Sequence, residues 1–371
     1  MNKGVKLDLE LRTMGEETFA IIRFPARMKV LSSTMRNGGF TETDTVLMMQ
    51  VEPGYDNRDP EGDMASKISQ LGLGEETVGF MTAAVIRKAI STAEERYHGV
   101  HAIAVVTAGV VNAVMAGDLL PESTVKRLTK PGTINTVVAV DVPLECEACA
   151  NAIITATEAK SAAMFERGIR GTGTTSDAVA IVSPLGRGTK YAGTATDVGI
   201  AIARAVRMAT SESIRKWSLV NPPMDLLSLL ERKGVTIDDL WAMAGELRRS
   251  ETSGDPDDLR RGFVEELERI KEDANVNALV QAAMLMDAEG DRDNIRGLRP
   301  GEFRNDPVTL VTDKMLGAVL VEYLTGKEEL PEYRNYNGRG LDATRQLSPF
   351  LGDVVLALVW GAMSRTSDGQ L

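Results

Sequence analysis

The chain has 371 residues, 43% of them hydrophobic, enough for two domains with cores of their own and too apolar for a disordered chain. Acidic residues outnumber basic ones by 53 to 42, and the resulting net charge of −11, with no basic cluster to offset it, argues against a nucleic-acid partner. No run reaches the roughly 18 apolar residues of a spanning helix, and the charged start MNKGVKLDLELRTMGEE lacks the apolar core of a signal peptide, so a cytoplasmic protein with no membrane span is expected.

In chain order, short apolar runs bounded by turn residues predict strands at 19–24, 44–51, 101–110, 133–142 and 176–184. Ala-rich faces recurring at three- and four-residue spacing predict helices over 75–96, 145–167 and 195–215. Residues 1–222 therefore read as an α/β domain, a mixed sheet with flanking helices. Cys146 and Cys149 fall on the second of these helices; they are two ligands where a structural zinc needs four, and His98 and His101 lie about 45 residues away, so they read as incidental helix cysteines. Asn221-Pro222-Pro223 stops the third helix and stiffens a connector.

Beyond that point strand-like alternation disappears, and residues 223–371 read as an all-α helical domain. DLLSLLERKG, TIDDLWAMAGELRRS and the stretch from Asp255 to Gly290 are successive helical patterns, with Thr236 and Asp255 as caps. Asp306 before Pro307 predicts a further helix start. Asp313, seven residues on, lies on the same face of an otherwise apolar helix, where an unpaired carboxylate would cost several kcal/mol. Gly317 leaves room there for a ligand or a second helix, and the final apolar helix carries one carboxylate, Asp353, near its start. Carboxylates from two buried helices suit a hard cation such as Mg²⁺.

In the first domain, polar residues and glycines gather where predicted strands end: Asn37, Gly38 and Gly39; Thr107, Gly109 and Asn112; Thr133 and Asn135; Gly171, Thr172, Gly173, Thr174 and Asp177; Tyr191 and Gly193. Loops beyond strand ends form the ligand crevice of an α/β sheet, and glycine lets a backbone amide approach a ligand closely. GTGTTSD is not a P-loop, because no Gly-Lys-Ser/Thr follows its glycines. NGGF, TAGVVNAV, GTINTVV, ITATEAKSAAMFERGI, GTGTTSDAV and YAGTATDVGIAIARAV, in that order from about residue 30 to 210, together resemble the adenosylcobinamide amidohydrolase family, CbiZ. The resemblance implies hydrolysis of the amide that joins a corrinoid propionate to aminopropanol, releasing adenosylcobyric acid without a cofactor, in a pocket lined by the loop residues just named.

For the chemistry, a Ser-His-Asp triad is disfavoured, since the two histidines sit together before one strand. A hydroxyl activated by Lys160 or a carboxylate, or a water activated by Glu158 or Asp177, is open. On a helix Glu158 and Lys160 diverge by about 200°, whereas Thr157 and Lys160 share a face. GTGTTSD is the first candidate for an oxyanion hole of backbone amides.

From about 224 to 365 the chain resembles the phosphatidylglycerophosphatase A-like superfamily, especially its archaeal α-ribazole phosphatase branch, CobZ. That resemblance implies a Mg²⁺- or Mn²⁺-dependent phosphomonoesterase acting on α-ribazole phosphate, with Asp306, Asp313 and Asp353 as metal ligands. Lys314 and Gly352 stand where that superfamily often has acids. The whole chain resembles archaeal fusions of the two activities in cobamide assembly, and paired apolar C-terminal helices suggest a homodimer. The rival expectation is a corrinoid-binding protein without amidase chemistry, its C-terminal helices serving oligomerisation or docking.

Overall fold

A computed structural model describes residues 4–52, 55–118, 132–220, 225–231, 233–247, 255–305, 310–337 and 347–367. The chain divides into two compact units, Met1–Pro222 and Pro223–Leu371.

The first unit is built on one eight-stranded mixed sheet. Its strands are β1 (Asp8–Met14), β2 (Glu17–Ser32), β3 (Gly39–Gln50), β4 (Val78–Thr82), β5 (Ser91–Tyr97), β6 (Val100–Ala108), β7 (Ile134–Val140) and β8 (Ala178–Pro184). The sheet order is β4-β3-β2-β8-β7-β6-β5, and β1 pairs with the first half of β2. The pairs β3–β4 and β7–β8 are parallel and the others antiparallel. All five sequence-expected strands are present, with β2 and β3 longer than their apolar runs suggest.

The register of β2 shifts between Arg23 and Met28, around Pro25, which has no N–H to give the ladder. The sheet curls enough that Asn135 on β7 donates to the Met81 carbonyl on β4 at 2.7 Å, although β8, β2 and β3 lie between them in the sheet order. One face of the curled sheet encloses a core of Ala20, Ile22, Val46, Phe80, Val105, Val137 and Val182. Alternate residues of β2 and β3, Phe19, Ile21, Leu47 and Met49, point the other way, onto Met64 and Ile68 of α1 (Pro60–Gln70). The opposite half of the sheet packs on α3 (Cys146–Glu166) and α4 (Asp197–Val220) through Val106, Ile134, Val138, Ala152, Ala156, Ile202 and Val206.

Residues 75–96 are not the expected helix. They form β4, the four-residue α2 (Ile86–Ala89) and β5. β5 is an edge strand in which Ser91, Ala93, Glu95 and Tyr97 turn inward while their neighbours are exposed, a two-residue period that an Ala, Glu and Arg composition disguises.

The second unit is almost wholly helical: α5 (Leu226–Glu231), α6 (Ile237–Leu247), α7 (Pro256–Ile270), α8 (Ala274–Asp291), α9 (Thr312–Thr325), α10 (Leu330–Asn337) and α11 (Pro349–Ser367). The stretch from Asp255 to Gly290 is two helices, because Asp273 accepts from the amides of Asn275 and Val276 and starts a new one. Thr236 and Asp239 cap α6 reciprocally, each side chain accepting from the other's backbone N–H. α11 is the hub, buried along nearly its whole length against Phe263, Val280, Leu320 and Leu324.

Candidate functional site

The loops at one end of the first unit's sheet are tied together by specific bonds. Gly109 N–H donates to Thr133 O (2.9 Å), Val114 N–H to Gly173 O (2.9 Å), and Thr172 N–H to Val114 O (2.9 Å). Asn112 donates through Nδ2 to Thr175 Oγ1 (2.6 Å). These contacts bring the end of β6 and the starts of β7 and β8 to the same edge, where β2 also ends, since Ser32 pairs with Ala180. A cavity of about 390 Å³ opens there, lined by Ser33, Thr82, Thr133, Asn135, Ser176 and Asp177 among others.

Beside it is a buried ion pair. Lys160 Nζ donates to Asp177 Oδ2, and the two side chains are 5% and 13% exposed. Asp177 also accepts from the amides of Thr174 (3.1 Å) and Ile134 (3.0 Å) and from the Thr174 hydroxyl. A carboxylate has about four lone-pair sites, so all are taken; Asp177 holds the loop and the lysine and has no position left for the proton of a water. Gly173 is required where it stands, because a Cβ there would lie 2.4 Å from Asp177 Oδ2 and 2.6 Å from Lys160 Nζ.

Of the sequence-named catalytic candidates, Asp177 lines the cavity and Lys160 pairs with it, whereas Thr157 and Glu158 are exposed on α3 and do not line it. The expected oxyanion hole in GTGTTSD differs: the amides of Thr172 and Gly173 donate to Val114 O and that of Thr174 to Asp177, so these three are spent inside the loop. Thr133 and Asn135 line the cavity, Thr107 pairs with Asn135 across β6 and β7, and Gly109, Asn112, Gly171, Thr172, Gly173 and Thr174 belong to the tied loops. Asn37, left-handed at φ 54°, donates to the carbonyls of Glu75 and Thr77 (2.8 Å each), and Gly38 and Gly39 complete its turn; Thr34 and Met35 from the same loop line the cavity. Tyr191 and Gly193 stand apart, beyond the other ends of β7 and β8, where Thr189 bridges Leu144 and Ala192 O accepts from Thr155.

Two further groups line the cavity, Ser176 inside the GTGTTSD motif and Tyr55, which the sequence does not mark. Ser176 is in hydroxyl contact with Thr133. Tyr55 donates its phenol to Asp63 (2.7 Å), and burial, reinforced by that carboxylate, pushes its pKa up to about 12, so it stays a neutral donor.

In the second unit, α9 begins at Thr312, later than Asp306-Pro307 suggests, and Asp306 lies outside the described residues. Asp313 is therefore in the first turn of its helix, 1% exposed, accepting from the Lys314 amide at 2.8 Å. The space beside Gly317 is taken by a second helix: a Cβ there would meet Tyr333 Oη at 2.5 Å and the Asp353 carbonyl at 2.9 Å. Asp287, not singled out in the sequence, caps α11 by accepting from the amides of Phe350 and Leu351, 3.0 Å each. Among the described residues no three His, Cys, Asp or Glu gather as a metal site. Among them, too, no helix is long and apolar enough to cross a membrane.

Residues 4–222 match the family described as adenosylcobinamide amidohydrolase, CbiZ. An adenosylcobinamide amidohydrolase of Methanosarcina mazei is 30% identical over 184 residues, 47% of this chain and 84% of that protein. One from Halobacterium salinarum is 28% identical over 197 residues, 51% and 82% of the two chains. An uncharacterized protein of Methanocaldococcus jannaschii is 29% identical over 233 residues, 56% and 90%. The family match spans more than half of the sequence and coincides with the first compact unit, and on that ground the chain belongs to the adenosylcobinamide amidohydrolase family.

Proposed function

We propose that the first unit hydrolyses the amide between the corrinoid propionate and aminopropanol in adenosylcobinamide. Water adds its oxygen to the carbonyl carbon, the C–N bond breaks, the nitrogen takes up a proton, and adenosylcobyric acid and aminopropanol leave. The observation that carries this reading is the polar cavity at the sheet edge, built from the segments over which the family match runs. Its mouth takes a side chain of the corrinoid, not the ring, because 390 Å³ is at the small end of ligand pockets. Lys160 and Asp177 hold the floor, with the ammonium supplying positive charge close to where the carbonyl oxygen becomes an oxyanion. The Thr133 and Ser176 hydroxyls lie along the cavity wall, in reach of either an attacking water or the amide itself. Incubating the full chain with adenosylcobinamide should yield aminopropanol and adenosylcobyric acid in equal amounts. Corrinoid bound one-to-one and recovered intact would replace hydrolysis with carriage.

For the second unit we propose the dephosphorylation of α-ribazole phosphate. Supporting it, Asp313 is a buried carboxylate on a helix packed against the one that bears Asp353. Hard oxygen donors suit Mg²⁺ or Mn²⁺, whose chemistry is to neutralise phosphate charge; Asp313 and Asp353 would hold it, and Asp306 would have to complete the set. Phosphate release that needs the metal and is lost in Asp313→Ala supports this activity, and release unchanged in that variant refutes it. A homodimer is the expected assembly, to be read from the mass in solution.

A further inference from the structure

We infer that Asn135 is a specificity residue of the amidase site, its Oδ1 accepting the N–H of the scissile amide. This rests on the hydrolase reading and adds to it the group that recognises the bond to be broken.

Asn135 is 1% exposed and lines the cavity. Its orientation is fixed by chemistry: Met81 O, 2.7 Å away, can only accept, so Nδ2 must face it and Oδ1 must face elsewhere. That oxygen has no partner among the described residues. Two of its neighbours in the cavity have their principal bonds inside the protein. The Thr133 hydroxyl donates to Ser176 O and Asp177 has its four donors, while Thr82 Oγ1 accepts from the Ala84 amide and keeps its own O–H. Across the sheet, Thr107 stands directly opposite Asn135, fully buried, its hydroxyl likewise without a partner among the described residues. Buried polar atoms in native proteins are nearly always satisfied by protein, ordered water or a ligand, so an orphaned acceptor on a cavity-lining residue is a place for a donor.

An acceptor of this kind calls for an N–H or O–H donor. In the proposed substrate the scissile group is a secondary amide with one N–H. Asn135 is placed for it because it pairs with Ala178, the residue after Asp177, and the Ile134 amide beside it bonds Asp177 itself. The backbone of Asn135 is thus one residue from the ion pair on both strands, and Asn135 and Asp177 both line the cavity. A site that accepts from a substrate N–H discriminates strongly against an analogue lacking it, because the buried oxygen is then stranded.

The test compares two substrates on one preparation of the full chain: adenosylcobinamide and its ester analogue, in which oxygen replaces the scissile N–H. Their kcat/KM ratio is independent of how much protein is folded, so reduced stability from the lost Met81 bond does not enter it. In Asn135→Ala the amide should lose on the order of 10- to 100-fold in kcat/KM while the ester changes by no more than about threefold. Asn135→Ser should show the same collapse of preference. Equal loss on both substrates in both variants, complete inactivity included, overturns the assignment while leaving the hydrolase reading intact. A wild-type chain that cleaves neither substrate removes both.

Discussion

Lys160 brings a full charge into a space where its side chain is 5% exposed, and among the described residues Asp177 is its ion-pair partner. Removing one partner of such a pair strands the other, which typically costs about 3–5 kcal/mol, whereas replacing both by uncharged groups costs much less. Asp177→Asn should therefore lower the urea midpoint of the first unit strongly. Lys160→Met combined with Asp177→Asn should recover part of the loss, a double-mutant cycle that isolates the pair. Equal destabilisation by the single and double changes would mean that the carboxylate acts only through its loop bonds to Thr174 and Ile134. The sequence marks Lys160 and Asp177 as chemically interesting but leaves them 17 residues apart. Their meeting depends on α3 running back from the end of β7 to the start of β8, which no local pattern encodes. The Ser176–Thr133 contact and the cap made by Asp287 are invisible for the same reason, each joining partners distant in the chain, whereas Tyr55 bonds Asp63 only eight residues on and is hidden because nothing local marks its burial.

Among the elements, α11 shows most plainly how one side chain can govern a helix. Asp287 on α8 meets the first free amides of α11, which favours its charged form, yet burial outweighs them and pushes its pKa up to about 6 from an ordinary 3.8, with Asp291 adding repulsion. The folded pKa exceeds the unfolded one, so the folded state binds more protons between them. The second unit should accordingly be most stable near pH 4 and lose on the order of 3 kcal/mol as pH rises through 6, flattening above it. A melting series across that range reads the slope, and Asp287→Asn should abolish it; a slope unchanged in the variant assigns it to another group. Where α9 meets α11, Gly317→Ala must displace Tyr333 or the Asp353 carbonyl, and should cost about 1–3 kcal/mol in chemical denaturation. A neutral Gly317→Ala would mean that the two helices separate without penalty. The regular elements with clear periodicity, β6 to β8, α3 and α4, were legible; β4 and β5 were not, because an edge strand tolerates the charged residues that a helix pattern also contains.

At the scale of the whole molecule, two units with separate cores share one chain, and the family match covers the first alone. The change from Gly- and Thr-rich strands to Leu-, Glu- and Arg-rich helices made that division readable, since the two compositions serve different periodicities. Convergence of the loops was readable only in outline: those after β6 and before β7 and β8 meet, while Tyr191 and Gly193 lie toward the opposite end of the sheet. If this edge breaks a C–N bond with water, turnover of adenosylcobinamide in ¹⁸O-labelled water should leave one heavy oxygen in the new carboxylate for each aminopropanol released, read by mass analysis of the corrinoid. A corrinoid returned unlabelled with its amide intact would refute hydrolysis here.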